Sequence, residues 1–364
     1  MNAASSHRIY YPALDGLRGV AILLVIFLHN FKFTNFFFFG WLGVDLFFVL
    51  SGFLITDILL RTIETKNFLR NFYIRRFLRI FPLYYLTIII CLFVIPNLGL
   101  PVHLDYYINN QLAFWTFTQN WLFIFKSPTG SPILMHFWSL AVEEQFYVVW
   151  PLIILLVKKT KPLLFISVFL LVAVMITRVL LWKFQIEDLA YDSLYTFTRI
   201  DGICVGCSIA LLLRVYPLFL KNYKFLIVFF LALLNFVIYI LNFRSPVRLP
   251  YLAFVGYTTF AVLFGILIYE VITNRSKLVR ILFENRILKF FGEISYGFYV
   301  YHWPVYLLLF PFLRDLLIRE TSFGATTAQF ISAIAATIVS ILLSLLSYRY
   351  FESYFLNKKK RYSE

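Results

Sequence analysis

Apolar runs of about 20 residues, the length needed to cross a hydrocarbon core about 30 Å thick, recur along the whole chain. Ten are read, at roughly 11–31, 36–60, 79–96, 135–157, 163–182, 197–213, 224–242, 250–272, 290–312 and 328–350. Of the 364 residues 61% are hydrophobic and only 14% charged, and the mean hydropathy is +0.82. These values lie outside the range of soluble globular chains. The expected fold class is therefore all-α, a polytopic integral membrane bundle of about ten transmembrane helices. The first run does not read as a cleaved signal peptide, because it carries charges, lacks a small-residue cleavage site and is followed at once by a second run.

An even number of spans puts both termini on one side, and the basic residues choose it. One set of loops with the tail holds 23 of the 33 Lys and Arg residues, among them Arg8, Arg70, Arg75, Arg76, Arg275 and Lys358. The other set holds seven: Lys32, Lys126, Lys183, Arg244, Arg248, Arg314 and Arg319. Both termini are expected in the cytoplasm. The formal charge of +15 then reports topology and contact with anionic lipid, and nucleic acid is not an expected partner. No second domain, repeat or low-complexity segment is evident. Cys204 and Cys207 share one apolar helix, where a packed thiol pair is the expectation and a zinc site would need more ligands.

Ionisable residues inside the spans are expensive and mark function by default. In "DGLRGVAILLVIFLHN" (residues 15–30), Arg18 and His29 are eleven residues apart. That spacing is three helical turns plus about 20°, so both lie on one face, separated by a rise of about 16 Å. A structural Arg18–Asp15 pair and a packed histidine is the plainer alternative. "GWLGVDLFFVLSGFLI" carries Asp45, and "FWSLAVEEQFYVVWP" carries Glu143 and Glu144. Adjacent helical residues diverge by about 100°, so one of the two is expected to face His29; Glu143 is favoured because Ser139 and Tyr147 extend its stripe. "RIDGICVGC" places Arg199 and Asp201 at the expected external mouth of the sixth span, and "GEISYGFYVYHWP" puts His302 at mid-depth, either functional or packed, ahead of a helix-kinking Pro304. "YIRRFLRIFPLYY" clusters Arg75, Arg76 and Arg79, which serve either as topology anchors or as a fork for phosphates.

The ordered set "YPALDGLRGVAILLVIFLHN", "GWLGVDLFFVLSGFLIT", "FYIRRFLRIFPLYY", "FWSLAVEEQFYVVWPL", "RIDGICVGC", "GEISYGFYVYHWP" and "SYRYFE" resembles the bacterial membrane-bound acyltransferase family 3, of the stand-alone type. The resemblance runs from residue 8 to residue 353, expected as the transmembrane domain, and leaves 354–364 as a short basic cytoplasmic tail. It implies an O-acyltransferase, most simply an O-acetyltransferase, of the bacterial cytoplasmic membrane. The implied donor is cytoplasmic acetyl-CoA or another acyl-CoA, and the implied acceptor an envelope glycan or lipid-linked sugar such as O-antigen or exopolysaccharide. Handover to a separate extracytoplasmic protein is a further implied route. The resemblance makes Arg18 and His29 the essential pair, Arg76 and Arg79 the donor-associated arginines, and Glu143 the acid of the "SLAVEEQFY" helix.

Acyl transfer from a thioester to a hydroxyl needs a base or a nucleophile, and positive charge near the developing oxyanion. His29 is the candidate base, oriented by Glu143 or Asp45 as in a triad. Arg18 positions the donor arm or the thioester carbonyl, with Arg75, Arg76 and Arg79 on its phosphates. Trp138, Ser139, Arg199, Asp201 and His302 are the candidate acceptor-binding residues, and no metal is required. The competing class is a proton-coupled exporter, whose relays use the same residue types; no inverted repeat supports it. A silent scaffold would not need charges at bilayer depth.

Overall fold

A backbone in hydrocarbon has no water to bond, so the apolar runs must satisfy their own N–H and C=O groups as helices. The computed structural model describes residues 11–34, 36–100, 102–184, 194–244, 250–273 and 277–362. Arg8, Arg248 and Arg275 of the basic-residue count, and the first residues of the expected 8–353 domain, lie outside these. Ten long helices stand among the described residues: α1 Pro12–Asn30, α2 Leu42–Thr62, α3 Phe68–Ile89, α4 Trp138–Val157, α5 Thr160–Lys183, α6 Asp201–Val215, α7 Phe219–Arg244, α8 Tyr257–Thr273, α9 Ser295–Glu320 and α10 Ala325–Leu346. The described residues contain no strand.

Eight helical segments among the described residues are long and apolar enough to cross a membrane, so the chain is a multi-pass membrane protein. The two expected spans not among them are α6 and α9. The first is only 15 residues long and is separated at Ile200 from the short helix Thr196–Arg199. The second has 26 residues, but Tyr296, Tyr299, Tyr301, His302 and Tyr306 dilute its apolarity. The third span also begins earlier than expected. Arginine is a good helix former, so α3 starts at Phe68 and carries Arg75 and Arg76 on the helix rather than in a loop.

The bundle centres on α1, whose Leu17, Ala21 and Ile22 are fully buried. Gly16 and Gly19 let the backbone of α1 meet the carbonyls of Phe283 and Leu288, and Gly292 likewise admits the carbonyl of Asp15. Any Cβ there would collide with main chain, the close approach that small residues permit between membrane helices. These contacts seat α1 on the short helices Lys277–Phe283 and Arg286–Glu293 and fix the height of Arg18. α2 packs against α6 in the same manner, with Gly52 on Ile203 and Gly206 on Val49. α9 packs on α1 and α10. α7 lies at the rim, its apolar side chains facing outward.

The expected loop 97–134 contains three short helices, Asp105–Asn109, Gln111–Trp115 and Gln119–Phe125. It is tied to the bundle: the Tyr84 hydroxyl donates to the carbonyl of Phe114 at 2.8 Å, and the Gln119 amide to that of Phe137 at 2.8 Å. This anchoring holds the turn Met135–Phe137, and therefore His136, against α9.

Candidate active site

The site is built on one face of α1 with α3, α4 and α9 around it. At one end Arg18 donates to Asp15 at 3.1 Å, one helical turn away. Arg79 of α3 lies close enough to Arg18 and Arg76 for their like charges to act on it. Half-buried, it makes no ion pair among the described residues. Glu352, held on a widened helical turn by the Ser347 hydroxyl at 3.1 Å, feels the charge of Arg79 without pairing with it.

Arg76 is differently placed. Its Nε donates to Glu144 at 3.2 Å, its Nη2 lies 3.6 Å from Glu143, and its guanidinium sits 3.7 Å from the centre of the Tyr147 ring. The Tyr147 hydroxyl donates to Glu143 at 3.3 Å. Both members of the acidic pair therefore meet one cation, whereas one of them was expected to face His29. Arg75 donates its Nε to the carbonyl of Asn71 on its own helix at 3.2 Å.

At the other end of α1, Nδ1 of His29 lies 2.8 Å from Nε2 of His302, with the rings offset-parallel at 5.0 Å and 18°. Nδ1 of His302 lies 2.7 Å from the carbonyl of Tyr299. His302 is completely buried and His29 half-buried beside Trp303, at 4.8 Å between ring centres. The His136 ring stands edge-on to His302 at 5.3 Å, and its Nε2 is 3.4 Å from the carbonyl of Val300. Pro304 explains that contact. Lacking an N–H, it leaves the carbonyl four residues earlier without its helical donor, and His136 occupies the place. The Tyr299 hydroxyl donates to the carbonyl of His136 and accepts from Ser139 at 2.7 Å.

Three sequence expectations need correction here. Neither Glu143 nor Asp45 orients His29; Glu143 is drawn to Arg76 and Tyr147, and Asp45 to Arg199. His302 has no ring nitrogen left for an acceptor, since both are bonded within the protein. Arg199 and Asp201 do not line an open mouth. They are buried in the ion pairs Asp45–Arg199 (2.5 Å) and Asp201–Arg178 (2.7 Å), with no side chain of the four more than 4% exposed. Thr258 joins Arg178 to Asp201, the Arg199 guanidinium lies 3.9 Å from the centre of the Tyr257 ring, and Trp138 packs edge-on to Phe48 beneath Arg199. In so apolar a setting charges must find each other, and this quartet ties α2, α5, α6 and α8 together. Ser139 likewise serves Tyr299. His136, Tyr299 and Glu352 escaped the sequence reading; the signal for His136 was Pro304, whose missing donor calls for a substitute.

The arrangement is a polar path through an apolar bundle, with cations at one end and histidines at the other. The family model described as "Acyltransferase domain" matches residues 11–349, which contain every one of these groups except Glu352. The chain belongs to that acyltransferase family. Members similar to it include the peptidoglycan O-acetyltransferase OatA of Listeria monocytogenes, 31% identical over 366 residues, covering 95% of this chain and 56% of the relative. Another, from Bacillus subtilis, carries the name "Putative peptidoglycan O-acetyltransferase YrhL" and is 30% identical over 366 residues, covering 96% and 55%. The chain thus spans a little over half the length of these family members. No solved structure matches it.

Proposed function

We propose that this chain is a membrane-embedded O-acetyltransferase that moves an acyl group from acyl-CoA to a hydroxyl of an envelope glycan. The observation that carries the reading is Arg79: a half-buried guanidinium beside Arg18 and Arg76, with no ion pair among the described residues, at the opposite end of the α1 face from a half-buried histidine. An acyl-CoA has phosphates at one end and its thioester at the other. Arg18, close to Arg79, lies about 16 Å from His29 along α1, a separation that suits a donor of that shape.

In the proposed reaction Nε2 of His29 removes the proton of the acceptor hydroxyl as its oxygen attacks the thioester carbonyl. The carbon–sulfur bond breaks, and the departing thiolate takes the proton from His29. The products are the glycan ester and the free thiol of coenzyme A. Arg18 supplies positive charge along the donor arm. Its Asp15 partner, one helical turn away at 3.1 Å, holds the guanidinium in place, and both side chains keep some exposure, 22% and 17%. The buried quartet of Asp45, Arg178, Arg199 and Asp201 frames the helices and touches neither substrate.

The basic-residue distribution supports a cytoplasmic donor end, an outward His29 end and residence in a bacterial cytoplasmic membrane. The names of the relatives support peptidoglycan as the first acceptor to try, ahead of O-antigen and exopolysaccharide. A handover to a separate extracytoplasmic protein would use the same His29 end. The exporter reading has no comparable support. Purified protein in lipid, given acetyl-CoA and peptidoglycan fragments, should release coenzyme A and form an alkali-labile acetyl ester visible by mass spectrometry. Absence of both products with every glycan tried would reject the assignment.

A further inference from the structure

The bonds at His302 determine where the protons sit on two imidazoles. The carbonyl oxygen of Tyr299 can only accept, so the 2.7 Å contact requires a proton on Nδ1 of His302. No carboxylate among the described residues bonds to this fully buried ring, so it is neutral, and a neutral imidazole with Nδ1 protonated has its lone pair on Nε2. That nitrogen lies 2.8 Å from Nδ1 of His29 and accepts a hydrogen bond from it. His29 is thereby held with Nδ1 protonated and Nε2 unprotonated. His302 is sealed inside, whereas His29 is only half-buried and its Nε2 makes no hydrogen bond with the described residues.

We propose that His302 is the positioning residue of the site: anchored to the Tyr299 carbonyl, it fixes the tautomer and ring plane of His29 so that a free Nε2 faces the acceptor. A buried carboxylate fills this place in Ser-His-Asp enzymes, where a wrong tautomer costs about 10⁴-fold in turnover. Here a backbone carbonyl sets the direction of the bond and His302 transmits it. A neutral ring places no permanent anion in the apolar interior, where an unpaired charge is costly. The role rests on the acyl-transfer reading, in which His29 is the base.

Two variants separate positioning from packing. His302→Leu preserves bulk and removes the acceptor. His302→Gln carries an amide oxygen that accepts from His29 and an amide N–H₂ that donates to Tyr299. Protein labelled with ¹⁵N-histidine and reconstituted in lipid should show His29, assigned by loss of its signals in His29→Asn, protonated at Nδ1 and not at Nε2. In His302→Leu this preference should be lost, and kcat should fall about 10²-fold or more with little change in KM for acyl-CoA. His302→Gln should recover the Nδ1-protonated signal and most of kcat. A wild-type His29 protonated at Nε2 would overturn the proposal, as would a folded His302→Leu protein with undiminished kcat. Should His302→Leu fail to fold, a folded His302→Gln protein that kept the wild-type signal yet lost kcat would overturn it too. The nitrogen spectrum needs no turnover, so it tests the tautomer even if the protein forms no ester.

Discussion

Arg76 and Arg79 stand three residues apart on α3, yet among the described residues only Arg76 of the two is ion-paired to carboxylates. Glu143 and Glu144 both hold Arg76, and Tyr147 covers it, while Arg79 has no ion pair among the described residues. The two arginines should therefore fail differently. Arg79→Ala should weaken acyl-CoA binding about 10- to 100-fold, the value of a charge-assisted hydrogen bond, with thermal stability near wild type. Arg79→Lys should recover part of the loss, because an ammonium cannot form the bidentate fork. Arg76→Ala should instead lower the melting temperature, since it strands two carboxylates in the bundle. Calorimetric titration with acyl-CoA alongside thermal unfolding in lipid separates the cases; full binding in Arg79→Ala would remove the phosphate role.

The Asp45–Arg199 pair tests the framing role of the buried quartet. Asp45→Ala leaves Arg199 buried without its partner and should destabilise by about 3–5 kcal/mol. The double variant Asp45→Ala, Arg199→Met removes the stranded charge and should be clearly more stable than Asp45→Ala alone. If the double variant is no better than the single, the two residues are not coupled and the framing account fails.

Orientation is open to labelling because Cys91, Cys204 and Cys207 are all buried and should react little with a polar reagent. A membrane-impermeant maleimide applied to intact cells should modify Lys126→Cys and leave Arg70→Cys untouched. The reverse pattern would exchange the donor and acceptor sides.

Much of this organisation is legible in the chain, for physical reasons. Hydropathy marks the spans because burial in lipid is a property of composition, and a helical rise of 1.5 Å per residue is enough to put Arg18 and His29 on one face. Pairings between helices follow from crossings that no local pattern encodes. Asp45 sits on α2 and Arg199 beside α6, 154 residues apart, so the carboxylate that seemed available to His29 is neutralised elsewhere. His302 appeared as an isolated histidine because its partner lies 273 residues earlier in the chain. His136 sits at the very start of the 135–157 run, where nothing local marks it, and its place depends on a carbonyl freed by a proline on another helix.

The central claim is that His29 performs the transfer while the arginine end binds the donor, and it is tested most directly by ester formation in His29→Ala. In purified protein supplied with acetyl-CoA and peptidoglycan fragments, acetyl-ester yield measured by mass spectrometry should fall about 10²- to 10⁴-fold, the usual cost of losing a general base, while acetyl-CoA binding stays within twofold of wild type. Ester formation by His29→Ala at close to the wild-type rate would contradict the account.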